Sequence, residues 1–376
     1  MSRPPGVRLS RWALAAGLVL ASCAPEAAPV RSGWSVDPSP LVTIASGDSS
    51  GEAVFVYPTG AARLSNGEIA VSDGSATVPA IVFFDAQGRK VRTVGRSGSG
   101  PGEYRTIAWM AQCGPDTLYA YDLWLRRITV MGGSGDFVRQ FRLPVGWIPG
   151  CSGSGALAVL GAYERRVGSS PSLRSATSPL SLHDSRGSAP RVLGEVPVWD
   201  LAYTDFGGWV LRLAGRIPSV AASSDRVYVG PSDSSSVIVF AMDGRRLASL
   251  PIQVEPRAPA RRHLESAAEY MVSFAPPGAL RDRMRQRFLG VAPAEHLPPF
   301  STLTVDPDGV LWANLSVPGD TTAVLRALDE SGRVLGEVRI PVGLKVFEIG
   351  RDYVLGTYDD ADGAPVVALY RLRKGS

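Results

Sequence analysis

The chain has 376 residues, with 39 lysines and arginines against 35 aspartates and glutamates. Three of the basic residues, Arg3, Arg8 and Arg11, lie in a leader, so the remainder is close to neutral, and its lysines are only Lys90, Lys345 and Lys374. No basic stripe interleaved with aromatics is present, which argues against a nucleic-acid partner, and beyond the leader no stretch is long and apolar enough to cross a bilayer as a helix.

The first element is that leader. Its arginines precede the apolar run Trp12 to Leu20, which is too short for a spanning helix and reads as a signal peptide over residues 1–22. The run ends in Leu20-Ala21-Ser22-Cys23, which resembles a bacterial lipobox. The resemblance implies cleavage before Cys23 and acylation of its thiol, a membrane anchor that needs no spanning helix. The other reading is an ordinary signal peptide followed by an accidental cysteine. Ala24, rather than Asp, follows the cysteine; in proteobacterial lipoproteins this pattern directs the protein to the outer membrane. Residues 24–33 lack apolar periodicity, and 23–34 is expected to be the acylated cysteine and a flexible tether.

From residue 35 onward the sequence reads as all-β. The 41 glycines, 30 prolines and many short β-branched runs form a repeating unit of four strands joined by tight turns. In the clearest copy, Ala61–Leu64 leads through Asn66-Gly67 into Ile69–Asp73, and Ala80–Asp85 leads through Gln87-Gly88 into Lys90–Gly95. The glycines supply the positive φ that such turns require. The pattern returns at 117–141, in degenerate form at 156–195, at 226–250 and at 303–338. A last copy at 346–372 is one strand short. Pro40–Ala45 is unclaimed and is expected to complete it, giving a six-bladed β-propeller closed by an N-terminal strand; seven blades is the alternative if the long third copy conceals another.

Phe84-Asp85-Ala86-Gln87-Gly88, followed by Gly98-Ser99-Gly100-Pro101-Gly102-Glu103-Tyr104, resembles bacterial six-bladed propellers of the NHL-repeat type over about 80 residues. That class includes scaffolds, ligand receptors, lyases and lactonases, so the resemblance implies a fold without choosing a function.

Between the fourth and fifth copies, about 257–290, lies a helical insertion: Ala258–Phe274, a Pro276-Pro277 break, then Gly278–Leu289. In its second half Leu280, Met284 and Phe288 recur every four residues while Arg281, Arg283, Arg285 and Arg287 point mostly elsewhere. This basic amphipathic helix is expected either to cap the ring or to meet anionic lipid or a partner protein. Cys113 and Cys151 occupy matching places in neighbouring copies. They can be bridged only if both lie near the ring axis, within roughly 7 Å of each other; otherwise they are two buried thiols.

Chemistry is sparse. His183, His263 and His296 have no metal-ligand spacing; Asp359–Gly363 and Asp306–Gly309 read as turns; and the Gly98–Gly102 loop lacks the Lys-Ser/Thr of a phosphate loop. No cofactor is expected. Strand alternation gathers Asp73, Glu103, Tyr104, Arg105, Asp122, Trp124, Trp199 and Asp200 on one face of loops, where recognition energy tends to concentrate. The expected function is non-catalytic: an anchored envelope propeller binding a protein, peptide or glycan through that face. The alternative is a lyase or hydrolase working at the channel mouth with carboxylates and arginines.

Overall fold

Short apolar runs separated by glycine turns can bury themselves only by stacking sheet on sheet. In the computed structural model they do so. It describes residues 33–375 except 48–53, 76, 144–146, 163, 168–172, 189, 205–207, 232–233, 274 and 276–277. Among the described residues six antiparallel sheets follow one another along the chain. The first pairs Pro58–Arg63, Ile69–Asp73, Ala80–Phe84 and Lys90–Val94 in that order, and the second pairs Ile107–Gln112, Thr117–Asp122, Arg127–Gly132 and Phe137–Arg142. The fourth runs Ser219–Ala222, Arg226–Gly230, Ser236–Ala241 and Arg246–Pro251, and the fifth Thr302–Val305, Leu311–Asn314, Ala323–Leu328 and Val334–Ile340. Sheet six holds Lys345–Ile349, Tyr353–Asp359 and Pro365–Arg373.

The long third copy forms a single sheet. Trp147–Cys151 and Leu157–Leu160 lead into two extended strands, Leu173–His183 and Arg191–Tyr203, flanked by Glu164–Val167 and Trp209–Leu211. Its extra length extends both long strands at the end opposite their connecting turn, where Glu164–Val167 and Trp209–Leu211 pair with them.

The first strand of each sheet lies against the first strand of the next, and Lys345–Ile349 of the sixth lies against Pro58–Arg63 of the first. The arrangement is β-propeller-like. Burial follows from it: Ile69–Asp73 and Ala80–Phe84, covered on both faces, are buried throughout, whereas the outer strand Lys90–Val94 is mostly exposed. Where first strands meet, space is short, and a Cβ on Gly60 would run into the backbone of Met110.

The N-terminal segment pairs with the last long strand in two pieces. Val42–Ala45 runs antiparallel to Val366–Leu369, and Ser35–Val36 to Leu372–Arg373. Ile44 thereby joins Phe55, Ile69, Phe84, Leu355 and Val367 in one core between the sixth and first sheets. Trp34, assigned above to the tether, packs against Trp312 with ring centroids 5.5 Å apart. Cys113 and Cys151 form a disulfide with Cα atoms 5.5 Å apart, at the ends of the first strands of sheets two and three.

Two helices, α1 (Arg261–Val272) and α2 (Ala279–Leu289), separate the fourth sheet from the fifth in the chain. The apolar stripe of α2 is only partly covered, with Met284 and Phe288 half-buried. None of its residues is buried, and Leu280 is 58% exposed. Its arginines add polar ties: Arg281 and Arg285 both reach Glu269 on α1, the latter at 3.4 Å, and the Arg287 Nε donates to Thr204 Oγ1 at 3.0 Å beside the third sheet.

Candidate functional site

Strand direction divides the loops into two faces. Each first strand begins, and each second strand ends, on what we term the entry face; the turns between first and second strands and between third and fourth strands make the turn face. The helices and the extended end of the third sheet stand on the entry face and are tied through the connection after α2: Arg212 donates to the carbonyls of Ala292 (3.1 Å) and Pro293 (2.7 Å), and the Ala294 amide to Leu213 O (3.0 Å).

The eight residues gathered there by strand alternation separate into two groups. Asp73, at the end of the second strand of sheet one, is buried; its carboxylate accepts from the amides of Val56 (2.9 Å), Tyr57 (3.0 Å) and Ser75 (2.9 Å). Asp122 holds the same place in sheet two and accepts from Arg105 N (2.7 Å) and Leu125 N (2.9 Å). Both therefore tie down the loops on either side of a blade top, rather than facing a ligand. Glu103 is likewise internal. It accepts from Ser99 N (3.0 Å), Gly100 N (2.8 Å) and Arg96, and the Gly100 amide, then Arg96, hold it below the usual carboxylate range. The amides of the glycine loop are thus occupied by the chain's own carboxylate, while Arg127 donates to the carbonyls of Ser99 (2.8 Å), Gly100 (2.7 Å) and Glu103 (2.6 Å).

Tyr104, expected on an exposed loop, is 1% exposed, and burial pushes its phenol up to about 12. Asp200 accepts from Arg216 N at 3.1 Å, with the Arg216 guanidinium 3.8 Å away, and half-buried Trp199 packs on the core of the third sheet. Arg105 and Trp124 remain outward, and Trp124 is 74% exposed. It stands next to a cleft of about 550 Å³ lined by Leu125, Arg126, Arg142, Leu143 and His183.

Other entry-face residues escaped the sequence reading. Tyr57 (55% exposed) directly precedes the first strand of sheet one, and Tyr270 (62% exposed), on α1, lies within electrostatic range of it. Val56, Val78, Leu123, Tyr203, Leu280 and Val342 are also exposed there. With Trp124 they make nine of the fifteen large apolar side chains that are exposed; the other six lie on or beside the outer strands, and among the described residues none lies in a turn-face turn.

The turn face is built from residues that satisfy themselves. Asp85 Oδ1 accepts from the amides of Gln87 (3.0 Å) and Arg89 (2.9 Å), Asp184 Oδ1 from Arg186 and Ser188 (both 2.9 Å), and Asp329 Oδ1 from Ser331 (2.9 Å) and Arg333 (3.0 Å). In each turn a glycine at positive φ, such as Gly88 at +80°, closes the backbone.

The histidines have separate tasks. On α1, His263 Nδ1 accepts from Ala260 N (2.9 Å), so its Nε2–H faces Asp320 Oδ1 at 3.3 Å; Arg257 grips the same carboxylate at 2.8 and 3.1 Å and seats the helix on the fifth sheet. His183 is buried beside Ser181 Oγ (3.1 Å), and burial lowers its pKa; His296 is exposed in the connection after α2. Among the described residues no three His, Cys, Asp or Glu side chains are grouped to hold a metal ion.

No protein-family model and no curated protein matches the sequence. Solved structures do resemble the fold. A member of the DUF4221 family from Bacteroides vulgatus aligns over 90% of this chain and 98% of its own, with a TM-score of 0.50 and 10% identity. A protein of unknown function from Bacteroides thetaiotaomicron aligns over 89% and 75%, with a TM-score of 0.43 and 15% identity. Regucalcin, a calcium-binding protein from Agrobacterium tumefaciens, aligns over 89% and 97%, with a TM-score of 0.35 and 9% identity. With one residue in ten identical, what this chain shares with the Bacteroides vulgatus protein is its fold.

Proposed function

We propose that the protein is an exported, lipid-anchored, six-bladed propeller of NHL-repeat grammar, closed by the strand Val42–Ala45, that binds a protein, peptide or glycan through its entry face without performing chemistry. Closure is supported by the pairing of that strand with Val366–Leu369 and by the contact between the first strands of sheets six and one. Export and acylation are supported by the leader and Leu20-Ala21-Ser22-Cys23. The pairing of the two other cysteines with each other fits an oxidising compartment. The helices between the fourth and fifth sheets act as a fixed cap, because Arg257, Arg281, Arg285 and Arg287 bind them to the molecule itself.

The observation that carries the reading is the asymmetry of exposed apolar surface. Water-exposed aromatics cost solvation without contributing to the fold, so their concentration on one face marks a contact surface. The carboxylates that might have served chemistry there, Asp73, Asp122 and Glu103, are already engaged by backbone amides.

The test is capture from solubilised envelope by the wild type and by two double variants, with each partner's affinity then measured. Tyr57→Ala with Trp124→Ala is expected to weaken binding at least about tenfold, as truncating central aromatic anchors does. Gln87→Ala with Ser331→Ala, on the turn face, is expected to leave it unchanged. A partner lost with the second pair and kept with the first overturns the assignment.

A further inference from the structure

We infer that the anchored molecule hangs by its turn face, so that the entry face looks away from the membrane and its aromatic surface meets a partner in the aqueous phase instead of lipid. This rests on the anchored-binder reading above.

The argument is one of chain path. Pro365–Arg373 is the third strand of its sheet, so it runs from the entry face to the turn face, and Ser35 pairs with Arg373 at its far end. Three further contacts fix the same place. Trp34 packs on Trp312 at the start of its strand, a Cβ on Gly33 would meet the Gly375 Cα at 3.7 Å, and Lys374 Nζ reaches Asp306 at 2.7 Å and Asp308 at 3.3 Å in a turn-face turn. The fold therefore begins at the turn-face rim of the fifth and sixth sheets. Only residues 24–33 separate it from Cys23.

Ten residues span about 17 Å root-mean-square as a random coil. A blade of six or seven residues is itself about 20 Å tall. Bringing the entry face to the headgroups would stretch the link along the full height of the molecule, whereas the turn face lies within its ordinary reach. The chemistry of the two faces agrees. The side toward the membrane carries self-satisfied polar turns that hold no exposed large apolar residue among the described residues, and three of the four arginines of α2, a feature suited to anionic lipid, are bound to Glu269 and Thr204.

Orientation can be read with single thiols, since acylation occupies Cys23 and the disulfide occupies Cys113 and Cys151. Gln87→Cys on the turn face and Trp124→Cys on the entry face would be labelled with a small fluorophore in the full acylated chain. The labelled proteins would be placed in phosphatidylethanolamine–phosphatidylglycerol vesicles carrying a headgroup nitroxide. Quenching several-fold stronger at position 87 than at 124 is the expected result; equal quenching, or more at 124, overturns the orientation. A mature chain whose N-terminal peptide carries no acyl mass removes the anchor and this inference with it, while the face-binding test above keeps its own outcome.

Discussion

The two faces of this molecule are made from the same strands and solve the same problem, unsatisfied amides at strand ends, in opposite ways. On the turn face an aspartate and a glycine within a few residues of each other close several loops locally, as at Asp85-Gly88 and Asp329-Gly332. On the entry face the satisfying carboxylate is distant in sequence. Asp73 takes the amides of Val56 and Tyr57, and Asp122 that of Arg105. Because the buried acid does the holding, the loop side chains are free to point outward, and those that do include Tyr57 and Trp124. A self-contained turn leaves no surface for a partner; a loop held from beneath presents one.

Four measurements break or sharpen that contrast. The largest effect is expected where the turn-face ends of two first strands are bridged. Replacing Cys113 and Cys151 with serine opens a link of sequence separation 38, which should lower stability by about 4 kcal/mol in denaturant titration. Next is Asp73→Ala, which leaves the amides of Val56, Tyr57 and Ser75 without an acceptor and should cost about 2–3 kcal/mol. Asp85→Ala, in a solvated turn, should cost clearly less by the same titration; equal losses would erase the distinction between the two kinds of loop.

A third effect depends on pH. At the turn-face end of the sixth sheet, burial raises Glu348 to about 7, against the pull of the Arg63 amide, which donates to its carboxylate at 2.8 Å. The folded state therefore holds a proton that the unfolded chain, with its ordinary 4.5, has released. That contribution to stability is complete below the unfolded value and is lost as pH rises through about 7. Melting temperatures across that window should fall in the wild type and fall less in Glu348→Gln. The smallest effect is expected at the surface: Trp124→Ala should change stability by no more than about 0.5 kcal/mol, so that any loss of binding it causes is a loss of contact.

Much of the architecture was legible because its signals are local. Asn66-Gly67, Gln87-Gly88 and Ser331-Gly332 mark turns wherever they fall, and the last copy at 346–372, one strand short, pointed to Pro40–Ala45 as a missing partner. The site was less legible. Strand alternation assigned Asp73, Asp122 and Tyr104 to the correct end of their sheets, yet it could not tell a side chain that faces water from one that turns beneath its own loop. Helix α2 shows the same gap from the other side, since the Leu280, Met284 and Phe288 stripe has the period of a buried face, but the neighbours it meets offer Glu269 and Thr204 to its arginines.

By itself, the sequence determined the all-β character and the rhythm of turn and strand, because each of these depends on residues adjacent in the chain. Only the tertiary structure decided that Tyr57 and Tyr270, far apart along the polypeptide, share a surface, and that the fold starts on the face opposite them. Those facts depend on how sheets stack around a common axis and which carboxylates lie within reach of which amides, distances that no local pattern encodes.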